Sequence, residues 1–193
     1  WVGGALNTLG YTEDIPINGS HAILVDGPNG IQVLDISQPS EPAWVSEAYP
    51  LAYAYDVEIS GNTLYAAGGG SGLLVVDLTN IEQPQEIGIY NIDGFQYGLV
   101  LSGNRLFSAA AWGGIGVVDI SDPLSPKVLE AIPTDGWVMD VTIQSSNLLV
   151  MDGTDGIRLY DISGQAPNLQ GVYPDTGFTY QGVLNGENAY VTD

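Results

Sequence analysis

The chain has no cysteine, one histidine and three basic side chains, Arg105, Lys127 and Arg158. The absence of cysteine excludes a disulfide framework, a thiol nucleophile and thiolate-bound zinc or iron–sulfur clusters. A single histidine excludes a three-histidine metal site. A serine triad would have to use His21, yet no G-x-S-x-G elbow is present. His21 therefore reads as a surface or packing residue beside the turn Asn18–Ser20, itself a glycosylation sequon. Against 23 acids the scarcity of bases leaves a formal net charge of -20. Such a field repels nucleic-acid phosphates and anionic lipids. It suits cations, basic partners or a salty medium that screens the repulsion. No apolar run approaches the roughly 18 residues of a membrane span. Helix signals are also weak: glycine and proline recur every few residues, and no apolar stripe of helical period lasts.

What is present is a phrase that returns at a fixed step. It reads GIQVLDIS at Gly30–Ser37, GLLVVDLT at Gly72–Thr79, GIGVVDIS at Gly114–Ser121 and GIRLYDIS at Gly156–Ser163, each copy 42 residues after the last. A regular period of this size points to one small unit stacked on itself. Within Tyr53–Gly94, YDVEI (Tyr55–Ile59) alternates with period two, SGN (Ser60–Asn62) turns, and TLYAA (Thr63–Ala67) reads as a second strand. The nearly continuous apolar LLVVDL (Leu73–Leu78) follows the loop GGGSG, and QEIGIY (Gln85–Tyr90) closes the unit. Four antiparallel strands in about 42 residues match a propeller blade, whose neighbours cover both faces of the apolar third strand. The predicted class is an all-β propeller of four-stranded antiparallel blades. An open β-solenoid is the rival, disfavoured by the hairpin-like meander.

The repeats run 11–52, 53–94, 95–136 and 137–177, with a partial unit at 178–193, and 1–10 align with the last strand of a preceding blade. All belong to one predicted propeller domain or a part of one. The chain begins at Trp1 without Met and stops inside a repeat. Ring closure is accordingly expected to need neighbouring subunits or further blades. Pro16 in the opening strand DIPI argues for an irregular or edge position there.

The phrase resembles the LVIVD repeat of bacterial and archaeal proteins. The residues that carry the likeness are Val33–Ser37, Val75–Thr79 and Val117–Ser121, followed by the proline pairs Pro39/Pro42 and Pro123/Pro126. The resemblance covers almost the whole chain. It implies a propeller, commonly exported or on the cell surface and often joined to anchoring modules, and it implies no defined activity. The fourth unit departs, with Tyr160 inside the phrase and Gly164-Gln165 where the proline turn stands elsewhere.

Repeated architecture places function where the copies differ. Asp35, Asp77, Asp119 and Asp161 end each third strand before a turn and are expected to cap that turn's N–H groups rather than catalyse. Blade topology sorts the proline turns (Ser37–Pro42, Thr79–Pro84, Ser121–Pro126) to one rim. The other rim gathers DGPNG, GGGSG, AWGG and DGTDG with the aromatics that lead into each first strand. Tyr53, Tyr55, Phe95, Tyr97, Trp112, Trp137, Phe178 and Tyr180 are the expected binding rim, suited to stacking a sugar or anchoring a peptide. The competing reading is that they wedge between blades. Asp26 with Asn29, and Asp152 with Asp155, offer oxygen donors in glycine-rich loops and form a candidate calcium site. Ordinary hairpin turns account for the same letters. Asp14, Asp56 and Asp140, with Gly98 in the third unit, are expected to ring an axial channel, where close carboxylates raise one another's pKa.

The expected function is a non-enzymatic extracellular or cell-surface scaffold or binding module for protein or glycan, with calcium the one candidate cofactor. A glycan-active or otherwise hydrolytic propeller using rim carboxylates is the alternative. A structural subunit of a surface assembly is another.

Overall fold

The computed structural model describes residues 10–26, 30–49, 53–129, 131–174 and 177–192, the side chains of 46–49 excepted. These residues form two compact units, one ending at Tyr90 and the other beginning at Asn91. The secondary structure in both is strand and turn.

The first unit holds two four-stranded antiparallel sheets. One is β1 (Ile17–Asn18), β2 (His21–Val25), β3 (Ile31–Asp35) and β4 (Ala43–Tyr49). The other is β5 (Val57–Ser60), β6 (Thr63–Ala67), β7 (Leu73–Asp77) and β8 (Gln85–Tyr90). Each sheet is a meander, its strands paired in sequence order. Ile23, Val25 and Val33 of the first sheet share a core with Val57, Leu64, Leu74 and Val76 of the second. Every residue of β6 is buried, as are the first four of β7. Period two along a strand puts successive side chains on opposite faces, so these middle strands are covered on both.

The second unit holds β9 (Gly98–Ser102), β10 (Arg105–Ala109), β11 (Ile115–Asp119) and β12 (Lys127–Val128), then β13 (Asp140–Gln144), β14 (Asn147–Met151), β15 (Ile157–Asp161) and β16 (Asn168–Tyr173). A two-stranded sheet of β17 (Gln181–Asn185) and β18 (Asn188–Thr192) follows. Phe107, Val117, Val141, Leu148 and Tyr160 form the core between the two larger sheets. The all-β class with repeated four-stranded antiparallel sheets, consistent with propeller blades, is therefore present.

The strand bounds depart from the expected ones where proline or packing intervenes. Ahead of β1, Asp14 makes only an isolated bridge to Val25, and the strand is cut to Ile17–Asn18. Pro16 has no N–H to give the ladder, although its carbonyl still accepts from Ile23. In the third repeat the outer strand shrinks to Lys127–Val128, with a separate bridge between Ile115 and Ile132.

Tight turns join the first and second strands of each sheet. Gly19, Gly61, Gly103 and Gly186 occupy them at φ of 59°, 59°, 58° and 61°. The fourth repeat has Ser145 there at φ 58°, a left-handed conformation that an L side chain adopts at a cost.

Candidate functional site

The lead-in to each first strand carries two residues two positions apart, and most of these pairs are aromatic. Tyr53 and Tyr55 have ring centroids 4.7 Å apart, Phe95 and Tyr97 4.8 Å, and Phe178 and Tyr180 4.8 Å, all tilted. The fourth repeat lacks the second ring, having Met139 there. Trp137 instead meets Trp112 from the AWGG loop, edge to face at 5.2 Å. The two backbones are tied by reciprocal hydrogen bonds of 3.1 Å between Ala111 and Val138. Trp112 is 60% exposed and Trp137 41%. This is the largest open aromatic surface among the expected rim residues, and it exists because one repeat places a Trp in a loop position where the others have Pro28, Gly70 and Thr154.

In the first and fourth repeats the residue that opens the second-to-third loop is hydrogen-bonded to a side chain six positions on. In the fourth repeat Arg158 Nε donates to Asp152 Oδ2 at 2.5 Å, and Nη2 to Asp135 Oδ2 at 2.8 Å. Thr134 Oγ1 donates to the other oxygen of Asp152 at 2.8 Å. In the first repeat Gln32 Nε2 donates to Asp26 Oδ2 at 3.0 Å. The second and third repeats have Gly68 with Leu74 and Ala110 with Gly116. The space of the absent Gly116 side chain is taken by Ile92, whose Cγ2 would lie 2.7 Å from a Cβ there. A buried acid thus occurs where a donor six residues later satisfies it, and both are replaced together by apolar residues. Burial works against the Arg158 charge, but the hydrogen bonds to Asp152 and Asp135 outweigh it and raise its pKa.

Of the calcium candidates, Asn29 lies outside the described residues. Asp26 and Asp152 are buried and hydrogen-bonded as above. Asp155 is half-buried, and its N–H donates to the Asp152 carbonyl at 3.1 Å. Among the described residues, no group of three or more His, Asp or Glu side chains is placed to hold a metal ion.

The repeated aspartates sit at the opposite end of each third strand from these loops. Oδ1 of Asp35, Asp77, Asp119 and Asp161 accepts the N–H two residues on, from Ser37 (2.8 Å), Thr79 (2.7 Å), Ser121 (2.9 Å) and Ser163 (2.9 Å). These bonds favour the charged form and hold all four carboxyls below the ordinary value. The backbone N–H is the main cause at Asp35, Asp119 and Asp161, and the Thr79 side chain at Asp77. His21 pairs across the ladder with Asp35, and its Nδ1 lies 3.5 Å from Ser20 Oγ.

The fourth turn, which lacks the proline staple, is held from the neighbouring sheet. Arg105, at the start of β10, donates through Nη1 to the carbonyls of Gly164 (2.9 Å) and Gln165 (3.2 Å) and through Nη2 to that of Ile162. Its guanidinium also lies 5.4 Å from the centroid of the Phe107 ring.

The inner-strand acids are backbone acceptors. Asp14 takes the N–H of Ile15 at 2.7 Å and Asp56 that of Val57 at 2.8 Å. Asp140 takes two, from Val141 at 2.9 Å and from Gly182 on β17 at 3.2 Å. Burial pushes its pKa up to about 6, against the effect of those two N–H groups. Repulsion from a second acid is not among the causes. Gly98 makes room for it, since a Cβ there would fall 2.9 Å from Asp140 Oδ1.

Sequence reasoning singled out the rim aromatics but missed Arg158, Arg105 and the buried Gln96, whose Oε1 accepts from the Ser108 hydroxyl. Co-variation of loop position and partner across the four internal copies was the available signal for Arg158. No such signal exists for Arg105.

The sheets and their repeated turns define a class of all-β repeat protein built from blade-like meanders. The LVIVD repeat model matches residues 9–48, 52–92 and 94–134, and the chain belongs to that family. The unmatched fourth copy is the one whose phrase and turn diverge. No curated protein sequence matches the chain. Among solved structures it is similar to the computationally designed Ika8 protein, with TM-score 0.71 and 13% identity over 92% of this chain and 54% of that one. It is similar to the computationally designed Ika4 protein, with TM-score 0.69 and 15% identity over 84% and 98%. The β-propeller domain of Myceliophteria thermophila Cps50 (Swd1) gives TM-score 0.69 and 16% identity over 96% and 63%. The chain thus spans about half the length of the Ika8 protein. At these identities the likeness is one of fold.

Proposed function

We propose that the chain is a non-enzymatic β-propeller module, exported or displayed on a cell surface, that binds protein or glycan through its aromatic rim. The observation that carries the reading is the Trp112–Trp137 pair, two indoles in edge-to-face contact with much of their surface open. Aromatic groups of this kind supply contact area at low entropic cost and recur at binding hot spots. The two buried loop carboxylates, Asp26 and Asp152, are each engaged within their own repeat, by Gln32 and Arg158. That favours binding over hydrolysis. The acidic surface and the likeness in fold to a propeller domain agree with a scaffold role.

The test is a panel of immobilised glycans and peptides probed with the chain and with a Trp112→Ala/Trp137→Ala double variant. The chain is expected to retain at least one ligand class that the folded double variant loses. Equal retention by both, or release of cleavage products from the panel, would overturn the reading.

Calcium belongs to the same proposal at Asp26, Asn29, Asp152 and Asp155. A melting midpoint raised by calcium over chelator supports an ion in those loops, and an unchanged midpoint removes it from the reading.

A further inference from the structure

We propose that the Trp112–Trp137 pair receives a lysine or arginine side chain from a basic segment of a partner protein. The inference rests on the rim reading above and narrows it to one chemistry. Much of the pair's surface is open, and among aromatic side chains the face of an indole attracts a cation most strongly. Two aspartates belong to the same stretch of backbone, Asp135 two residues before Trp137 and Asp93 against the Trp112 loop. Asp93 and Asp135 are 42 residues apart, each followed by glycine and then by a lead-in aromatic, Phe95 or Trp137. The Trp112 loop packs on the first of them: a Cβ on Gly113 would fall 2.0 Å from the Asp93 carbonyl oxygen. The Asp93 side chain is exposed, and that of Asp135 is 88% exposed while pairing with Arg158.

The chain's own cations do not fill the aromatic pair. Arg158 points its head at Asp152 and Asp135, Arg105 lies against Ile162, Gly164 and Gln165, and Lys127 stands opposite Asp119 across the ladder. A net charge of -20 then draws a basic ligand towards this surface from a distance and raises its association rate. A neutral sugar would stack on the same indoles but would gain nothing from that field. The charge balance therefore selects a basic peptide over a glycan.

The experiment titrates the whole chain with three probes: a hexapeptide bearing arginine and lysine, an acidic hexapeptide of equal length, and a neutral trisaccharide of N-acetylglucosamine. Calorimetry and tryptophan fluorescence read the binding. The basic peptide is expected to bind alone of the three, and more weakly as salt rises. Its Kd should rise about tenfold with Trp112→Ala, which is about 1.4 kcal/mol, and about threefold with Asp93→Asn. Trp112→Phe, which keeps a ring face, should restore most of the affinity. Basic-peptide binding that survives both Trp112→Ala and Trp137→Ala would overturn the proposal, because diffuse charge would then account for it. Trisaccharide binding that is lost with Trp112→Ala would also overturn it while leaving the rim reading intact. No Trp112-dependent binding of any probe would overturn both.

Discussion

Arg158 Nε and Asp152 Oδ2 lie 2.5 Å apart in a setting where the carboxylate has no solvent exposure. Removing one partner of such a pair leaves an uncompensated buried charge, which costs roughly 3–5 kcal/mol. Arg158→Met should destabilise the chain by that amount in urea or thermal melts. Arg158→Gln should cost much less, since it recreates the Asp26–Gln32 pair of the first repeat. Equal losses from the two substitutions would show that the charge, not the hydrogen bond, satisfies Asp152.

Ser145 stands at φ 58° where four other turns have glycine. It is exposed, and at the equivalent Gly19, Gly61, Gly103 and Gly186 nothing lies within 4 Å of where a Cβ would stand. The serine therefore has backbone strain without a steric contact to justify it. Ser145→Gly should stabilise the second unit by about 1 kcal/mol, read as a higher melting midpoint.

Asp140 has its folded pKa pushed up to about 6, above the ordinary 3.8. Between those values the folded chain binds more protons than the unfolded chain, so this group's contribution to stability falls as pH rises through the window. Asp140→Asn should abolish that part of the pH dependence. The measurement is the difference in melting midpoint between wild type and variant at pH 4, 5, 6 and 7. A constant difference across the series would contradict the assignment.

The turn carboxyls behave oppositely. Asp35, Asp77, Asp119 and Asp161 have lowered pKa values, so their stabilising contribution is present above the unfolded pKa and is lost as pH falls through the folded one. Asp119→Ala should lower the melting midpoint by a few degrees at pH 7, and the deficit should shrink as pH falls through the folded pKa, where wild type loses the same cap. A deficit that stays constant as pH falls would mean that Asp119 acts by packing.

The repeat was legible because its period and its apolar phrase follow directly from burial. QEIGIY became β8 with the expected bounds, and LLVVDL became β7 with Leu78 just beyond it. The expected strand YDVEI begins as a regular strand only at Val57, although the Tyr55 N–H and the Asp56 carbonyl still bond to Ala67 at 2.9 Å. The site was half legible. Each Trp of the exposed pair stood out singly, but their contact joins positions 25 apart in sequence through a hydrogen-bonded pair of backbones, Ala111 and Val138. Arg105 was the least visible, since its partners are main-chain carbonyls almost 60 residues away, and carbonyls leave no mark in a sequence.

That last contact bears on how such an array is duplicated or engineered. A fourth-type repeat moved to a new place would arrive with its turn carbonyls uncapped, because the side chain that caps them belongs to the copy before it. The transferable part is the third repeat together with the fourth, and shuffling single copies would separate the guanidinium from the loop that depends on it.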